Sequence, residues 1–132
     1  MTISFAYESN YPSAAFPVAV GTIGGRNAKS TIVTGLIDSG ADATILPVSI
    51  LRQINARRGE VAWARSVTGQ RYQVNLYQVN LYQVTVSIGE YTMRGVEVIA
   101  NEHTGEVIWG RDVLNQLYVV LDGPGENTQI GL

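Results

Sequence analysis

Asp38-Ser39-Gly40-Ala41-Asp42 is the stretch of this 132-residue chain whose residue types and spacing point to chemistry. The β-type run from Ser30 to Ile37 delivers Asp38 straight into a tight turn, where a hydroxyl, a glycine and a second acid follow at once. Apolar runs commonly end in turns rich in Gly and Asp, so a strand, a turn and a strand would explain the composition. They do not explain the order. Ser39 and Gly40 beside Asp38 let amides and hydroxyls point at its carboxylate and let a substrate backbone come close. A second block, Val107-Ile108-Trp109-Gly110-Arg111-Asp112-Val113-Leu114, reads as a strand, a glycine and a short helix. Val113, Leu114 and Leu117 fall on one helical face. Taken alone, Arg111-Asp112 reads as a surface ion pair at a helix start, worth about 0–1 kcal/mol.

Several other chemistries fail on residue types. The chain has no cysteine, which removes disulfides, thiol catalysis and Cys-based zinc sites. The only histidine, His103, lies in the polar loop from Asn101 to Glu106, and Ser39 is not in the Gly-x-Ser-x-Gly turn of a nucleophilic serine. A calcium loop starting at Asp38 would need donors where Gly40 and Ser49 stand. Gly24-Gly25-Arg26-Asn27 lacks the Lys-Ser/Thr pair and the helix of a phosphate loop, and reads as a hairpin turn. No cofactor and no metal are expected. Net charge is −2 with a pI near 5.3 and a single lysine, a poor match to a nucleic-acid-binding surface.

The elements that must position these blocks read as β-rich. Apolar content of 45% against 15% charged fits a compact globule, and fourteen glycines suit many turns. The length allows one domain with a real core. Ile3, Phe5 and Tyr7 alternate as a short strand, and residues 10–17, with two prolines, are irregular. Strands are expected over Pro17 to Ile23 and Ser30 to Ile37. A short helix is expected after Pro47, with Ile50, Leu51 and Ile54 on one face. Asn55 to Gly59 reads as a polar connection, and Val61 to Tyr72 as a hairpin with its tip near Thr68-Gly69. Hairpin strands follow over Val84 to Ile88 and Tyr91 to Ala100, and two strands close the chain. Tyr72-Gln73-Val74-Asn75-Leu76 recurs as Tyr77 to Leu81 and begins again at Tyr82-Gln83-Val84. Because strand side chains alternate with period two, a repeat of five throws equivalent residues onto opposite faces. It is read as a local duplication that lengthens a strand or adds a bulge; no function follows from it.

Leu36-Ile37-Asp38-Ser39-Gly40-Ala41-Asp42, closed by Ile45-Leu46-Pro47, resembles the active-site signature of retropepsins, the retroviral-type aspartic proteases, and of their bacterial relatives. Ile108-Trp109-Gly110-Arg111-Asp112-x-Leu114 resembles the second signature of that family, at a suitable distance from Asp38. The resemblance runs from about Pro17 to Leu132 and leaves 1–16 as an N-terminal extension to a core at 17–132. It implies an all-β fold, a small closed barrel with one or two short helices, assembled as a two-fold homodimer. It also implies roles: Asp38, Ser39 and Gly40 in catalysis; Gly40, Asp42, Val67, Thr68 and Gly69 at the substrate, the last three on a hairpin flap; Gly110 and Arg111 as structural support, with Arg111 reaching Asp42. The flap tip departs from the retroviral one, which is richer in glycine.

Peptide hydrolysis by carboxylates needs two of them facing one water, one ionised as base and one protonated as acid. Close carboxyls cannot both ionise cheaply, so the pair shares a proton. Of the four aspartates only Asp38 sits in an Asp-Ser/Thr-Gly turn, so one chain holds half a site and a second copy must supply the rest. The expected function is an aspartic endopeptidase acting on extended peptide, with Ile45, Val67 and Ile108 as candidate subsite residues. Two other readings stand beside it: a retropepsin-like dimerisation or peptide-binding module without proteolysis, and a plain β-barrel binding domain. The start of the sequence lacks a secretory signal pattern and no run approaches the ~20 apolar residues of a membrane span, so a soluble, cytoplasmic protein without membrane partners is expected.

Overall fold

Ten strands and two short helices make up the fold, in the order β1 (Ile3–Ala6), β2 (Val18–Gly24), β3 (Ser30–Ile37), β4 (Ile45–Pro47), α1 (Val48–Gln53), β5 (Arg57–Val67), β6 (Val74–Ile88), β7 (Tyr91–Asn101), β8 (Val107–Trp109), α2 (Arg111–Leu114), β9 (Tyr118–Asp122) and β10 (Asn127–Gly131). The computed structural model describes residues 2–67 and 74–131, with side chains described outside 64–67 and 74–77. Strands run in the order β2-β3-β8-β4-β7-β6, and β6 pairs back onto β2 through Thr22↔Ser87, Ile23↔Val86 and Gly24↔Thr85. That pairing closes a six-stranded barrel, as expected of an all-β fold. Closure removes the open edges that would otherwise template aggregation.

The barrel fills from the inward positions of alternating strands. Val84, Val86 and Ile88 of β6 are buried with Ile23, Val33, Ile37, Leu46, Met93, Val96, Val98 and Trp109. Trp109 is the largest fully buried side chain, and its Nε1–H donates to the Ala19 carbonyl at 3.0 Å. It needs Gly35: a Cβ there would overlap the indole ring. A tryptophan on β8 thus dictates a residue without a side chain on β3 at the step just before the Asp38 turn.

Helix α1 forms where Pro47 pre-sets the entry to a first turn; it buries Leu51, and Ile54 just past its end is buried too. Strand β5 begins at Arg57, inside the stretch that reads as a polar connection, with a bulge between Arg58 and Val61. The polar residues belong to a strand whose outer side faces water, so no alternation marks them. The duplicated stretch gives β6 its 15 residues. Its C-terminal half pairs with β7 and β2; its N-terminal half pairs with β5 as a hairpin running from Arg57↔Gln83 to Val67↔Val74. Residues 2–16 do more than precede the barrel. β1 pairs with β10, and β10 with β9, in a separate three-stranded antiparallel sheet.

Candidate active site

β3 and β8 lie parallel, with Ile37 level with Trp109, so Asp38 and Gly110 leave the barrel side by side. The Asp38 N–H donates to the Trp109 carbonyl at 3.1 Å, and on the other flank Ile37 N–H donates to the Pro17 carbonyl at 2.9 Å. Asp38 therefore sits at the end of a strand fixed on both sides. Past it the chain turns: Ala41 N–H donates to the Asp38 carbonyl at 3.2 Å, and Gly40 N–H donates to Asp38 Oδ1 at 2.9 Å. A Cβ on Gly40 would stand 3.2 Å from that same oxygen, so glycine is what keeps the carboxylate open to a reacting group.

The turn is held from the second block. Arg111 N–H donates to the Ala41 carbonyl at 2.9 Å. The Arg111 guanidinium spreads over the turn, Nη1 donating to the Ser39 carbonyl at 2.8 Å and Nη2 to Asp42 Oδ1. The fork of the guanidinium fixes two points at once, which a lysine ammonium would not do. The pair is exposed, so its contribution to stability is about 0–1 kcal/mol and its effect is orientation. At Gly110 a Cβ would collide with the Ala43 carbonyl and the Thr44 amide, so this strand passes against the turn at backbone distance.

Thr44 and Asp112 form a second clasp that sequence reasoning did not single out. Thr44 is fully buried. Its N–H faces both Asp112 carboxylate oxygens at 3.0 Å, and its hydroxyl donates to Asp112 Oδ1 at 2.8 Å while accepting from Gly110 N–H at 3.1 Å. Asp112 Oδ1 also accepts from Val113 N–H at 2.8 Å. Asp112 is thus no surface partner of Arg111; it locks α2 to the far end of the turn. The signal was present as a lone hydroxyl, Thr44, at the head of an apolar run, since a buried hydroxyl requires a partner.

A groove of about 390 Å³, reached from the turn only through Ile45, opens between β4, β6 and β7. Ile45, Val79 and Ile99 form its apolar wall, with Asn80, Asn101 and His103 at the rim. Val79 is buried yet lies apart from the main core that contains Val84. These two valines are equivalent positions of the five-residue repeat, and the odd period turns one into the barrel and its copy onto the groove. His103 of the polar loop sits on the groove rim with its backbone N–H donating to the Asn101 side-chain oxygen.

The structure therefore brings Asp38, Ser39, Gly40, Asp42, Gly110 and Arg111 into one contiguous unit. The Val67 backbone pairs with Val74 on the β5–β6 hairpin, while Thr68 and Gly69 lie outside the described residues. Among the described residues no helix is long and apolar enough to cross a membrane.

Comparison with known proteins gives the following. A profile of the family described as "gag-polyprotein putative aspartyl protease" matches residues 19–116. A retropepsin-like aspartic protease from Rickettsia conorii is similar in structure, with a TM-score of 0.66 and 12% identity over 98% of this chain and 90% of that one. The EIAV protease, solved in complex with the inhibitor HBY-793, has a TM-score of 0.55 and 20% identity over 81% of this chain and 92% of that one. No curated protein matches the sequence.

Proposed function

Because the chain belongs to the retropepsin-like aspartic protease family, we propose that it is an endopeptidase whose active site forms between two copies, each contributing Asp38. The observation that carries the reading is the Asp38 turn itself: an open carboxylate, held by Gly40 N–H, in a turn fixed through Arg111 to helix α2. One such turn per chain is half of what carboxylate hydrolysis requires, and a two-fold axis beside it supplies the other half.

In the assembled site the two Asp38 carboxyls share one proton and hold a water between them. The ionised carboxylate takes a proton from the water as its oxygen bonds to the scissile carbonyl carbon, and the protonated carboxyl gives its proton to the carbonyl oxygen. The tetrahedral adduct collapses as a proton passes to the amide nitrogen, the C–N bond breaks, and carboxylic acid and amine leave. Ser39 hydroxyls brace the two turns across the axis. The Gly40 carbonyl and Asp42 align an extended peptide, and the β5–β6 hairpin with Val67, Thr68 and Gly69 covers it by β-type pairing. The groove walled by Ile45, Val79 and Ile99 suits an apolar side chain of that peptide. The chemistry uses no metal or cofactor.

The test is cleavage of a diverse peptide mixture read by mass spectrometry, between about pH 4 and 7. Wild type and Asp38→Asn are run in parallel at a concentration where sizing shows the oligomer. The expected result is cleavage by wild type that Asp38→Asn loses by at least about 10³-fold, with the fold unchanged. Cleavage that survives Asp38→Asn, or a confirmed dimer that cleaves nothing, overturns the proposal; the latter result would favour a peptide-binding module.

A further inference from the structure

Five of the nine basic residues, Arg26, Lys29, Arg52, Arg57 and Arg58, gather where the β2–β3 turn, the end of α1 and the start of β5 meet. This is the opposite end of β3 from Asp38, about 25 Å away at the rise of a strand. One edge of β6 changes partner here: Thr85 to Ser87 pair with β2, and from Gln83 outward the same edge pairs with β5. Two strands abutting end to end leave a gap. A cleft of about 160 Å³ opens there, with Arg26 on one lip, Arg57 on the other, and Gln83 and Thr85 on the floor. Past Arg57 it runs on into a cleft of about 590 Å³ that also has Gln83 in its wall and is bounded by Arg58, Glu60 and Glu97. Arg57, Gln83 and Glu97 are level on three neighbouring strands. Gly24, Gly25, Gly59 and Gly95 line this trough, so a ligand backbone can come close to its walls.

The cations of the trough are set in advance and left without carboxylate partners. Arg26 Nε donates to the Asn55 carbonyl at 3.0 Å and its Nη2 to Asn55 Oδ1 at 2.9 Å, with Asn55 in the left-handed region that asparagine tolerates. Two of its five N–H donors are used, and the fork is held before anything binds. Arg58 Nη2 donates to Asn80 Oδ1 at 3.0 Å. Among the described residues the ion pair is Arg111 with Asp42, and Arg57 has no side-chain hydrogen bond.

We propose that this trough is a docking site for an extended, mixed-charge segment of a partner protein, with a carboxylate side chain held by Arg26 and Arg57 and a neighbouring cationic side chain held by Glu60 and Glu97. The site is separate from the Asp38 turn and stands whether or not the chain cleaves peptides. Charge decides the occupant. A nucleic acid or polyphosphate is negative at every step, and Glu60 and Glu97 oppose it. A second copy would set Arg57 and Arg58 against their like. A polypeptide can change sign along its length as the trough does. It can also use β5, which is paired on one side only, by adding to the open backbone edge. Further along β5, Val61 and Trp63 are 51% and 68% exposed and offer such a segment an apolar contact.

Random dodecapeptides displayed on phage are selected on the immobilised full chain carrying Asp38→Asn, so that none is cut. The expected result is a family of sequences in which Asp or Glu stands a few residues from Lys or Arg. A synthetic member binds the parent chain at least about tenfold more tightly than it binds Arg57→Glu. Its titration moves the amide signals of Gly25, Gly59 and Gly95 and leaves that of Gly40 in place. The same selection on Glu97→Arg keeps the acidic residue and loses the basic one, which a merely unfolded variant would not do. Failure to enrich any sequence overturns the proposal. So do peptides that bind Arg57→Glu equally well or that move Gly40 in place of the trough glycines. Tighter binding of pyrophosphate or of a single-stranded dodecanucleotide at those glycines also overturns it and makes the trough a phosphate site.

Discussion

The residues around Asp38 divide into those that would touch substrate and those that hold the turn, and the two groups should respond differently to substitution. Asp38→Asn keeps the acceptor for Gly40 N–H, so its stability should fall within about 0.5 kcal/mol of wild type while activity is lost. Thr44→Val should do the opposite kind of damage. It removes a fully buried hydroxyl that donates to Asp112 and accepts from Gly110, leaving the Gly110 N–H without its acceptor and Asp112 with only the Thr44 and Val113 amides as donors. The expected cost is about 2–4 kcal/mol, read as a lower urea midpoint, with Thr44→Ser restoring most of it. A Thr44→Val variant as stable as wild type would mean that Asp112 clasps the turn through the Thr44 amide alone. Thr128 offers the contrast. It is equally buried, but its Oγ1 has no hydrogen-bond partner among the described residues. Thr128→Val replaces an unsatisfied hydroxyl with a methyl of the same shape, and should be neutral or stabilising by up to about 1 kcal/mol. A clear loss of stability there would show that the hydroxyl is paired in solution.

Among the elements, those written in local signals were legible and those written in distant partnerships were not. Pro47 and the one-sided spacing of Leu51 and Ile54 mark α1, and Gly110 followed by Val113, Leu114 and Leu117 marks α2. β1 reads as a strand, but nothing local says that Ile3 pairs with Ile130 and makes the first residues part of a sheet. Likewise Asp112 and Thr44, far apart in sequence, meet only once β4 and β8 are laid side by side. The repeat was legible as a pattern and opaque as to use, because its odd period matters only when the two faces of β6 have different surroundings. The structure supplies them: Val84 in the barrel, Val79 on the groove. One consequence is testable by deletion. Removing 77–81 puts Tyr72 to Leu76 in the place of an identical segment, so the pairs from Arg57↔Gln83 to Ala64↔Tyr77 are rebuilt with the same residues. Only the outer rungs of the hairpin, from Arg65↔Leu76 to Val67↔Val74, lose their partners. The barrel should keep its melting temperature within about 4 °C, the shift of a ~1 kcal/mol change at this size. Cleavage, which in the proposed function depends on the hairpin, should drop. A large fall in melting temperature would show that the outer hairpin belongs to the cooperative core.

At the scale of the whole molecule the question is whether one chain is ever a catalyst. A closed six-stranded barrel with its own core is complete as a fold, yet it presents one Asp38 turn where the proposed chemistry needs two. That mismatch between structural and chemical completeness predicts a dominant effect of inactive subunits. If subunits exchange freely, a ninefold excess of Asp38→Asn leaves roughly one wild-type subunit in ten with a wild-type partner, so activity per wild-type subunit should fall about tenfold. Dilution alone should lower specific activity as dimers dissociate, and added wild type should restore it. Mixing with Asp38→Asn is the sharper measurement, because a catalyst complete in one chain would be untouched by the excess. Equal activity per wild-type subunit with and without Asp38→Asn, in a mixture shown by mass spectrometry to have exchanged subunits, would place the whole of the chemistry within a single barrel and remove the need for a second copy at Asp38.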